Sequence, residues 1–123
     1  MRLEKEIIEW ANKKDLIKEE NVYQQYAKFM EEANEILVAM NKINFYEKEY
    51  IYKLENNLEI TKEFFNKGAE LEQELKDAYG DTLVTLIISA AQYELGLEDC
   101  LEYAYNEIKN RTGKTVGGTF IKD

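Results

Sequence analysis

Residues 74–90 have the sequence ELKDAYGDTLVTLIISA, which changes from charged to almost wholly apolar within one helical length. This pattern predicts an α-helix whose first half lies at the surface and whose second half enters the interior of a bundle. Asp77 and Asp81 are four residues apart and share a helical face that continues into Val84 and Ile88. We therefore expect Asp81 at the edge of the apolar interior, where a carboxylate is costly unless it is paired or binds a cation.

Apolar residues recur at helical spacing along most of the chain. The pattern predicts five helices, namely one within residues 3–17, a second that begins at Asn21, a third over 45–65, a fourth over 69–95 and a fifth over 97–111. Gly68 is interpreted as the end of the third helix and Gly96 as the end of the fourth. The glycine pair 117–118 separates two short β-prone segments. The expected fold is all-α, a four- to five-helix bundle with a short C-terminal β-hairpin.

The composition limits both the domain count and the kinds of function. A chain of 123 residues with 45% hydrophobic content can bury one core, so residues 1–123 are predicted to form a single domain. The formal net charge of −9 opposes non-specific binding to nucleic acid. The chain has no histidine, which excludes a nucleophile activated by histidine and weighs strongly against a di-iron site. Zinc sites are built mainly from histidine and cysteine, so a chain with no histidine and one cysteine is not expected to hold zinc. The longest apolar run is too short to cross a membrane, and the single Cys100 suits a cytoplasmic protein.

A second group of acids lies in the second predicted helix. Residues 28–36 have the sequence KFMEEANEI, in which Glu31 and Glu35 are one helical turn apart, with Glu32 and Lys28 beside them. The apolar side chains of this helix are expected on the opposite side and comprise Phe29, Ala33, Ile36 and Met40. Alone, the pattern fits an ordinary exposed face better than a binding face. Opposite the aspartates of the fourth helix, however, these glutamates would form a site of hard oxygen ligands suited to Mg²⁺ or Mn²⁺.

Together the two acidic stretches resemble those of a known family. The residues that carry the resemblance are Gln25, Lys28, Glu31, Glu32 and Glu35, followed by DAYGD at 77–81. They resemble the EExxE helix and the acidic GD step of the all-α nucleoside triphosphate pyrophosphohydrolases, in particular the small MazG-like proteins of phages and prophages. The segments EWANKKDLI at 9–17 and NEIKNRTGKTVGGTFIKD at 106–123 are also similar to phage-type members. This chain differs from many relatives in having Ala78 instead of an acid and a longer segment between Glu35 and Asp77.

The resemblance implies a helical bundle of the all-α NTP pyrophosphohydrolase type, and hydrolysis of a nucleoside triphosphate between its α- and β-phosphates. It implies Mg²⁺ as cofactor, with Mn²⁺ as a substitute. The implied metal ligands are Glu31, Glu32, Glu35, Asp77 and Asp81. The implied catalytic residues, one of them a general base, are Glu31, Glu32, Glu35 and Lys28. The implied substrate-binding residues are Lys28, Asn106, Lys109 and Arg111.

Some of these residues have an equally ordinary structural interpretation. Lys28 would also form an ion pair with Glu32 one turn along the helix. Lys109 and Arg111 would also suit the negative C-terminal end of a helix. Trp10 and the nine tyrosines could stack on a nucleobase, but aromatic residues at helical spacing are more often part of the core, and we expect that here.

The resemblance also bears on assembly and location. It implies a homodimer or homotetramer in which helices of neighbouring subunits complete the site, in the cytoplasm of a bacterial cell or a phage-infected host. The alternative is a non-catalytic acidic helical protein. Such a protein would be either a nucleotide binder that does not cleave its ligand or a phage inhibitor whose negative surface mimics DNA.

Overall fold

The computed structural model describes residues 2–123, which form four α-helices and one β-hairpin. The helices are α1 (Arg2–Lys13), α2 (Val22–Glu55), α3 (Lys62–Ala91) and α4 (Leu97–Ile108), and a 3₁₀ turn (Glu19–Asn21) precedes α2. The strands are β1 (Gly113–Val116) and β2 (Thr119–Lys122). The mostly helical architecture and the C-terminal hairpin confirm the coarse fold prediction. None of the helices in residues 2–123 combines the length and the apolar character that a membrane span requires.

Two long antiparallel helices, α2 and α3, form the body of the molecule. Lys42 of α2 lies opposite Glu74 of α3, and Tyr46 of α2 lies opposite Gly68 of α3. The two helices therefore run antiparallel on either side of the segment that connects them. Ala39 and Ala78 are both buried where the helices face each other. Small side chains at these positions let the helix axes approach closely. The shorter α1 packs against α3.

The boundaries predicted for the middle of the chain are wrong. The second and third predicted helices are one continuous helix of 34 residues, because neither glycine nor proline interrupts residues 22–55. The turn to α3 occurs at Asn57, which adopts a left-handed φ of 54°. Gly68 does not end a helix but lies within α3, where the Tyr46 hydroxyl would be 2.6 Å from a Cβ at this position. Gly96 is likewise the N-cap of α4, since α3 already ends at Ala91.

An aromatic cluster closes the connected end of the two long helices. The Tyr46 hydroxyl donates a hydrogen bond to the Phe64 carbonyl (2.9 Å), and the two rings stack with centroids 4.4 Å apart. The Tyr50 ring lies 6.2 Å from the same Phe64 ring, and the Lys53 ammonium lies over it at 5.2 Å. Thr61 caps α3 by accepting a hydrogen bond from the Phe64 N–H (3.1 Å). These contacts set the register in which α2 and α3 face each other.

The segment between α1 and α2 is held against the far end of the body. The Asn21 side chain donates hydrogen bonds to the carbonyls of Asp15 (3.1 Å) and Leu16 (3.2 Å). Asn21 is also the N-cap residue of α2, which agrees with the prediction that this helix begins there, but its side chain makes no capping hydrogen bond. The Gln92 amide, just after α3, donates to the Leu16 carbonyl (2.8 Å). This fixes the end of α1, including Trp10, beside the second half of α3.

The last part of the chain, residues 97–123, projects from this body, and we call it the C-terminal arm. The buried Glu4 carboxylate of α1 accepts a hydrogen bond from the Leu97 N–H (2.5 Å) and so anchors the start of α4. Beyond it, all of residues 98–123 are exposed, and within the described chain neither α4 nor the hairpin packs along α1, α2 or α3. Within one chain the helices therefore do not close into a bundle.

The hairpin at the end of the arm has the geometry that its sequence predicts. The two strands pair in antiparallel register, with Gly113 opposite Lys122 and Val116 opposite Thr119. Gly117 and Gly118 both have positive φ, 57° and 80°. A two-residue turn with left-handed φ at both positions is of type I′, whose twist matches that of the flanking strands.

Candidate functional site

An acidic groove with a volume of about 450 Å³ lies between α2 and α3, midway along the body. The five acids predicted as metal ligands all line it, three from α2 and two from α3. The complete lining is Glu31, Glu32, Glu35, Val38, Ala39, Lys42, Glu74, Asp77, Ala78 and Asp81. The antiparallel register therefore brings together two acidic stretches that are some forty residues apart in the sequence.

Glu32 lies on the inward face of α2, not on an outer face. Its side chain is only 17% exposed, and the same inward stripe continues through the half-buried Ile36 and the buried Ala39. The expectation that the acids and the apolar stripe lie on opposite sides of this helix is wrong. Met40, predicted as an interior residue, is largely exposed instead. Phe29, Ala33 and Ile36 are half-buried, so the inward face of α2 carries Glu32 together with most of the predicted apolar stripe.

Lys28 pairs with two of the acids. Its Nζ lies 3.0 Å from Glu32 Oε1 and 3.6 Å from Glu31 Oε2. The hydrogen bond to Glu32, together with the negative charges of Glu31 and Glu32, raises the pKa of the Lys28 ammonium above its usual 10.5. Lys28 therefore stays protonated and offsets part of the charge at one end of the groove.

Lys42 and Glu74 are groove residues that did not enter the predicted site. The Lys42 Nζ lies 3.1 Å from Glu74 Oε2, which joins α2 to α3 at the other end of the groove. The sequence could have indicated Lys42, because it lies seven residues, or two helical turns, after Glu35 and so shares its helical face. It could likewise have indicated Glu74, which lies three residues before Asp77. A charged pair across two helices requires their register, which one helix alone does not supply.

Asp77 and Asp81 are both exposed to solvent. The expectation that Asp81 is desolvated at the edge of the apolar interior is therefore wrong, although Ile88 on the same face of α3 is buried. The physical reason is that the groove is open, so the carboxylates remain in contact with water. Ala78, at which this chain departs from the resemblance by lacking an acid, is buried and lines this groove.

The groove offers carboxylate oxygens, the type of ligand that binds a hydrated divalent cation. Within residues 2–123, no three acidic or cysteine side chains converge closely enough to hold one metal ion by themselves. All the side chains predicted as ligands are carboxylates, which suit Mg²⁺ and Mn²⁺. Magnesium commonly keeps several waters and binds through one or two carboxylates together with substrate phosphates. Such an ion needs two facing carboxylates, and α2 and α3 each supply candidates.

A second cavity of about 550 Å³ adjoins the acidic groove, since Glu32 and Asp81 line both. Its other lining residues are Trp10, Leu16, Gln24, Gln25, Lys28, Val84, Thr85 and Ile88. Trp10 is 49% exposed, so its prediction as a core residue is wrong. A flat aromatic face beside two side-chain amides could take a planar ligand with hydrogen-bonding edges. Gln25 was singled out only through the resemblance, and no pattern in the sequence pointed to Gln24.

The predicted substrate-binding residues of the C-terminal part do not lie at these cavities. Asn106, Lys109 and Arg111 are exposed on the C-terminal arm and line neither of them. Lys109 is the C-cap of α4, and its N–H donates to the Tyr105 carbonyl (2.9 Å). Of the predicted substrate-binding residues, Lys28 alone lies beside the acids of its own chain.

Comparison of the chain with protein-family models, with curated proteins and with solved structures gives no match. The candidate site rests on the residues and the geometry described above.

Proposed function

We propose that the protein is a Mg²⁺-dependent nucleoside triphosphate pyrophosphohydrolase, with its site in the acidic groove between α2 and α3. The observation that supports this most strongly is that six carboxylates from two facing helices line one cavity. The resemblance to MazG-like sequences supplies the reaction, which is cleavage between the α- and β-phosphates. Mn²⁺ would serve in place of Mg²⁺.

The unpaired acids of the groove are the proposed metal ligands. Glu31 and Glu32 share Lys28, and Glu74 pairs with Lys42. In residues 2–123, no lysine or arginine lies within ion-pair distance of Glu35, Asp77 or Asp81. A divalent cation between the helices would therefore not have to displace a lysine or an arginine from these three carboxylates.

Glu32 is the proposed acceptor of the proton of the attacking water. It lines both cavities, so it faces the junction at which a nucleotide extending from one into the other would place its α-phosphate. The hydrogen bond from Lys28 holds its carboxylate in place. A general base must lie within hydrogen-bond reach of the water it deprotonates, and this junction provides that position. A bound Mg²⁺ would lower the pKa of that water and neutralise charge on the pyrophosphate.

The rest of the nucleotide would be held by the neighbouring groups. Lys42 lies at the end of the groove, where a β- or γ-phosphate could exchange for Glu74 as its partner. In the second cavity, Trp10 would stack on the base. The amides of Gln24 and Gln25 would hydrogen-bond its edge.

A pyrophosphate-release assay over a panel of canonical, modified and alarmone nucleotides with Mg²⁺ tests the proposal. We expect turnover by the wild-type protein, and a loss of about 100-fold or more in Glu35→Gln and Asp81→Asn, because removing a transition-state charge partner costs several kcal/mol. Circular dichroism should show unchanged helix content in both variants. The matched control is Glu72→Gln, an acid of α3 that lies outside the groove. Lack of turnover across the panel, or full activity in both groove variants, would refute the proposal.

Two observations favour the alternative, a non-catalytic acidic binding protein. Asp77 and Asp81 are exposed, and no three acids of the described chain converge on one point. A surface that mimics nucleic acid needs exposed negative charge but no divalent cation. Dependence on a divalent cation therefore separates the two candidates.

A further inference from the structure

A single ion pair joins the two long helices across the groove. Within residues 2–123, Lys42 and Glu74 form the only ion pair between α2 and α3, with 3.1 Å between Lys42 Nζ and Glu74 Oε2. Both side chains are about half exposed, at 52% and 47%. An ion pair this open to water adds little to the stability of a fold. Glu74 can therefore be exchanged for another anion at little cost to the packing of α2 and α3.

The antiparallel register relates this pair to the proposed metal ligands. Glu35 lies seven residues before Lys42, and Asp81 lies seven residues after Glu74. Because the helices run antiparallel and both acids line the groove, Glu35 and Asp81 lie at one level of it, two helical turns from the ion pair. Seven residues of α-helix span about 10 Å. The groove therefore presents two carboxylates at one level and a lysine about 10 Å further along.

The space between these two levels is open to an extended ligand. Ala39 and Ala78 line the groove there and are both buried, so they form its floor. Their small side chains leave room above them. Asp77, one of the proposed metal ligands, lies at the same level as Ala39. A polyphosphate that enters beside Glu32 could therefore run along the groove, past the proposed metal ligands, to Lys42.

Lys42 is the only basic residue among the described residues that line the groove. Lys28, at the other end, lies beside the second cavity and is paired with both Glu31 and Glu32. Lys42 has one acid as its partner, Glu74. A lysine ammonium is a point charge on a flexible stem and is a common ligand of phosphate. The last phosphate of a bound chain would therefore meet Lys42, while Lys28 stays engaged with its two acids.

We propose that Lys42 binds the γ-phosphate of the substrate and so makes the site select nucleoside triphosphates over diphosphates. This inference rests on the proposed function, because it takes the α-phosphate to lie beside Glu32. The γ-phosphate is then one P–O–P unit closer to Lys42 than the β-phosphate, and a diphosphate ends short of the lysine. Binding of the γ-phosphate requires Lys42 to leave Glu74, which competes with the phosphate in the free protein. Glu74 therefore limits the affinity for a triphosphate.

Binding of uncleavable nucleotide analogues tests this inference apart from catalysis. The ligands are the α,β-methylene analogues of the four common nucleotides, each as triphosphate and as diphosphate, titrated with Mg²⁺ by isothermal titration calorimetry. For at least one base, we expect wild type to bind the triphosphate about tenfold or more tightly than the diphosphate. Lys42→Met should remove this preference by weakening the triphosphate and leaving the diphosphate unchanged. Lys48→Met, a matched change at an α2 lysine outside the groove, should keep the preference.

Glu74→Gln distinguishes recognition of the phosphate from a role in holding the helices together. This variant frees Lys42 from its competitor, so it should bind the triphosphate analogue more tightly than wild type does. If the ion pair served only to hold α2 against α3, Glu74→Gln and Lys42→Met would weaken triphosphate binding to a similar extent, and this result would overturn the inference. Absence of a triphosphate preference in wild type, or its persistence in Lys42→Met, would also overturn it. Circular dichroism checks that all the variants keep their helices.

The results also separate this inference from the hydrolase proposal. A triphosphate preference that depends on Lys42, in a protein that releases no pyrophosphate from any nucleotide, would uphold the role of Lys42 and refute hydrolysis. Cleavage of triphosphates and diphosphates with equal kcat/KM would uphold hydrolysis and overturn the role of Lys42.

Discussion

Glu32 differs from the other acids of the groove in being largely buried and paired with a lysine. Its carboxylate is largely covered, although it lies on the face of α2 that packs against α3. Such a charge is tolerated because Lys28 donates a hydrogen bond to it from one turn earlier. Among the described residues, none forms a comparable ion pair with Glu35, Asp77 or Asp81. The pairing of Glu32 and the lack of pairing at the other three divide the acids into a proposed base and proposed metal ligands.

The Lys28 interaction predicts a specific pH dependence of stability. The pKa of Lys28 is raised in the folded protein, so the pair stabilises the fold fully below pH 10.5 and is lost as the pH rises through the higher folded value. Lys28→Met should therefore be less stable than wild type in urea unfolding at neutral pH, and the difference should vanish in buffers well above pH 10.5. Lys48→Met removes an α2 lysine that makes no ion pair within residues 2–123, and is the control. A difference that persists at the higher pH would contradict the ion-pair explanation.

The individual acids of the groove and the ion pair between Lys28 and Glu32 could be predicted from the sequence, but the pairing across the two helices could not. Spacing of three and four residues places Glu31 beside Glu35, and Asp77 beside Asp81, without knowledge of the fold. The pair formed by Lys42 and Glu74 depends on how α2 and α3 align, which local spacing does not contain. The exposure of Asp81 likewise depends on whether a groove opens between the helices.

The contact between α2 and α3 depends on the close approach of the two helices at Gly68. The Tyr46 side chain fills the space beside Gly68, where it stacks on Phe64 and donates to its carbonyl. A stop signal and a close helix contact both favour glycine, so the sequence alone led to the wrong interpretation. The actual turn uses Asn57 with positive φ, a conformation that asparagine tolerates better than most residues.

The two glycines of α3 should respond oppositely to alanine. At Gly68 a Cβ would meet the Tyr46 hydroxyl at 2.6 Å, and we expect Gly68→Ala to destabilise the fold by about 1 to 3 kcal/mol despite its better helix propensity. At Gly80 a Cβ would meet nothing within 4 Å, so Gly80→Ala should stabilise by about 0.5 to 1 kcal/mol. Urea unfolding of both variants measures the two effects. Equal effects in the same direction would contradict the packing described for α2 and α3.

The sequence predicted a mostly helical fold with a C-terminal hairpin, and the structure confirms both. The sequence could not show that α4 projects from the body. Its apolar face, with Leu101 and Ile108, has the spacing typical of a helix packed in a bundle. That spacing does not distinguish a core in the same chain from a core shared with another copy, because both bury the same face.

The proposed function depends on the binding of a divalent cation in the groove between α2 and α3. Titration of Mn²⁺ into the 123-residue protein, followed by the electron paramagnetic resonance signal of the free ion, measures this binding without any assumption about the substrate. We expect saturable binding by wild type and by the control Glu72→Gln, and an affinity at least tenfold weaker in Glu35→Gln and Asp81→Asn. Absence of saturable binding in wild type, or equal affinity in all four proteins, would contradict it.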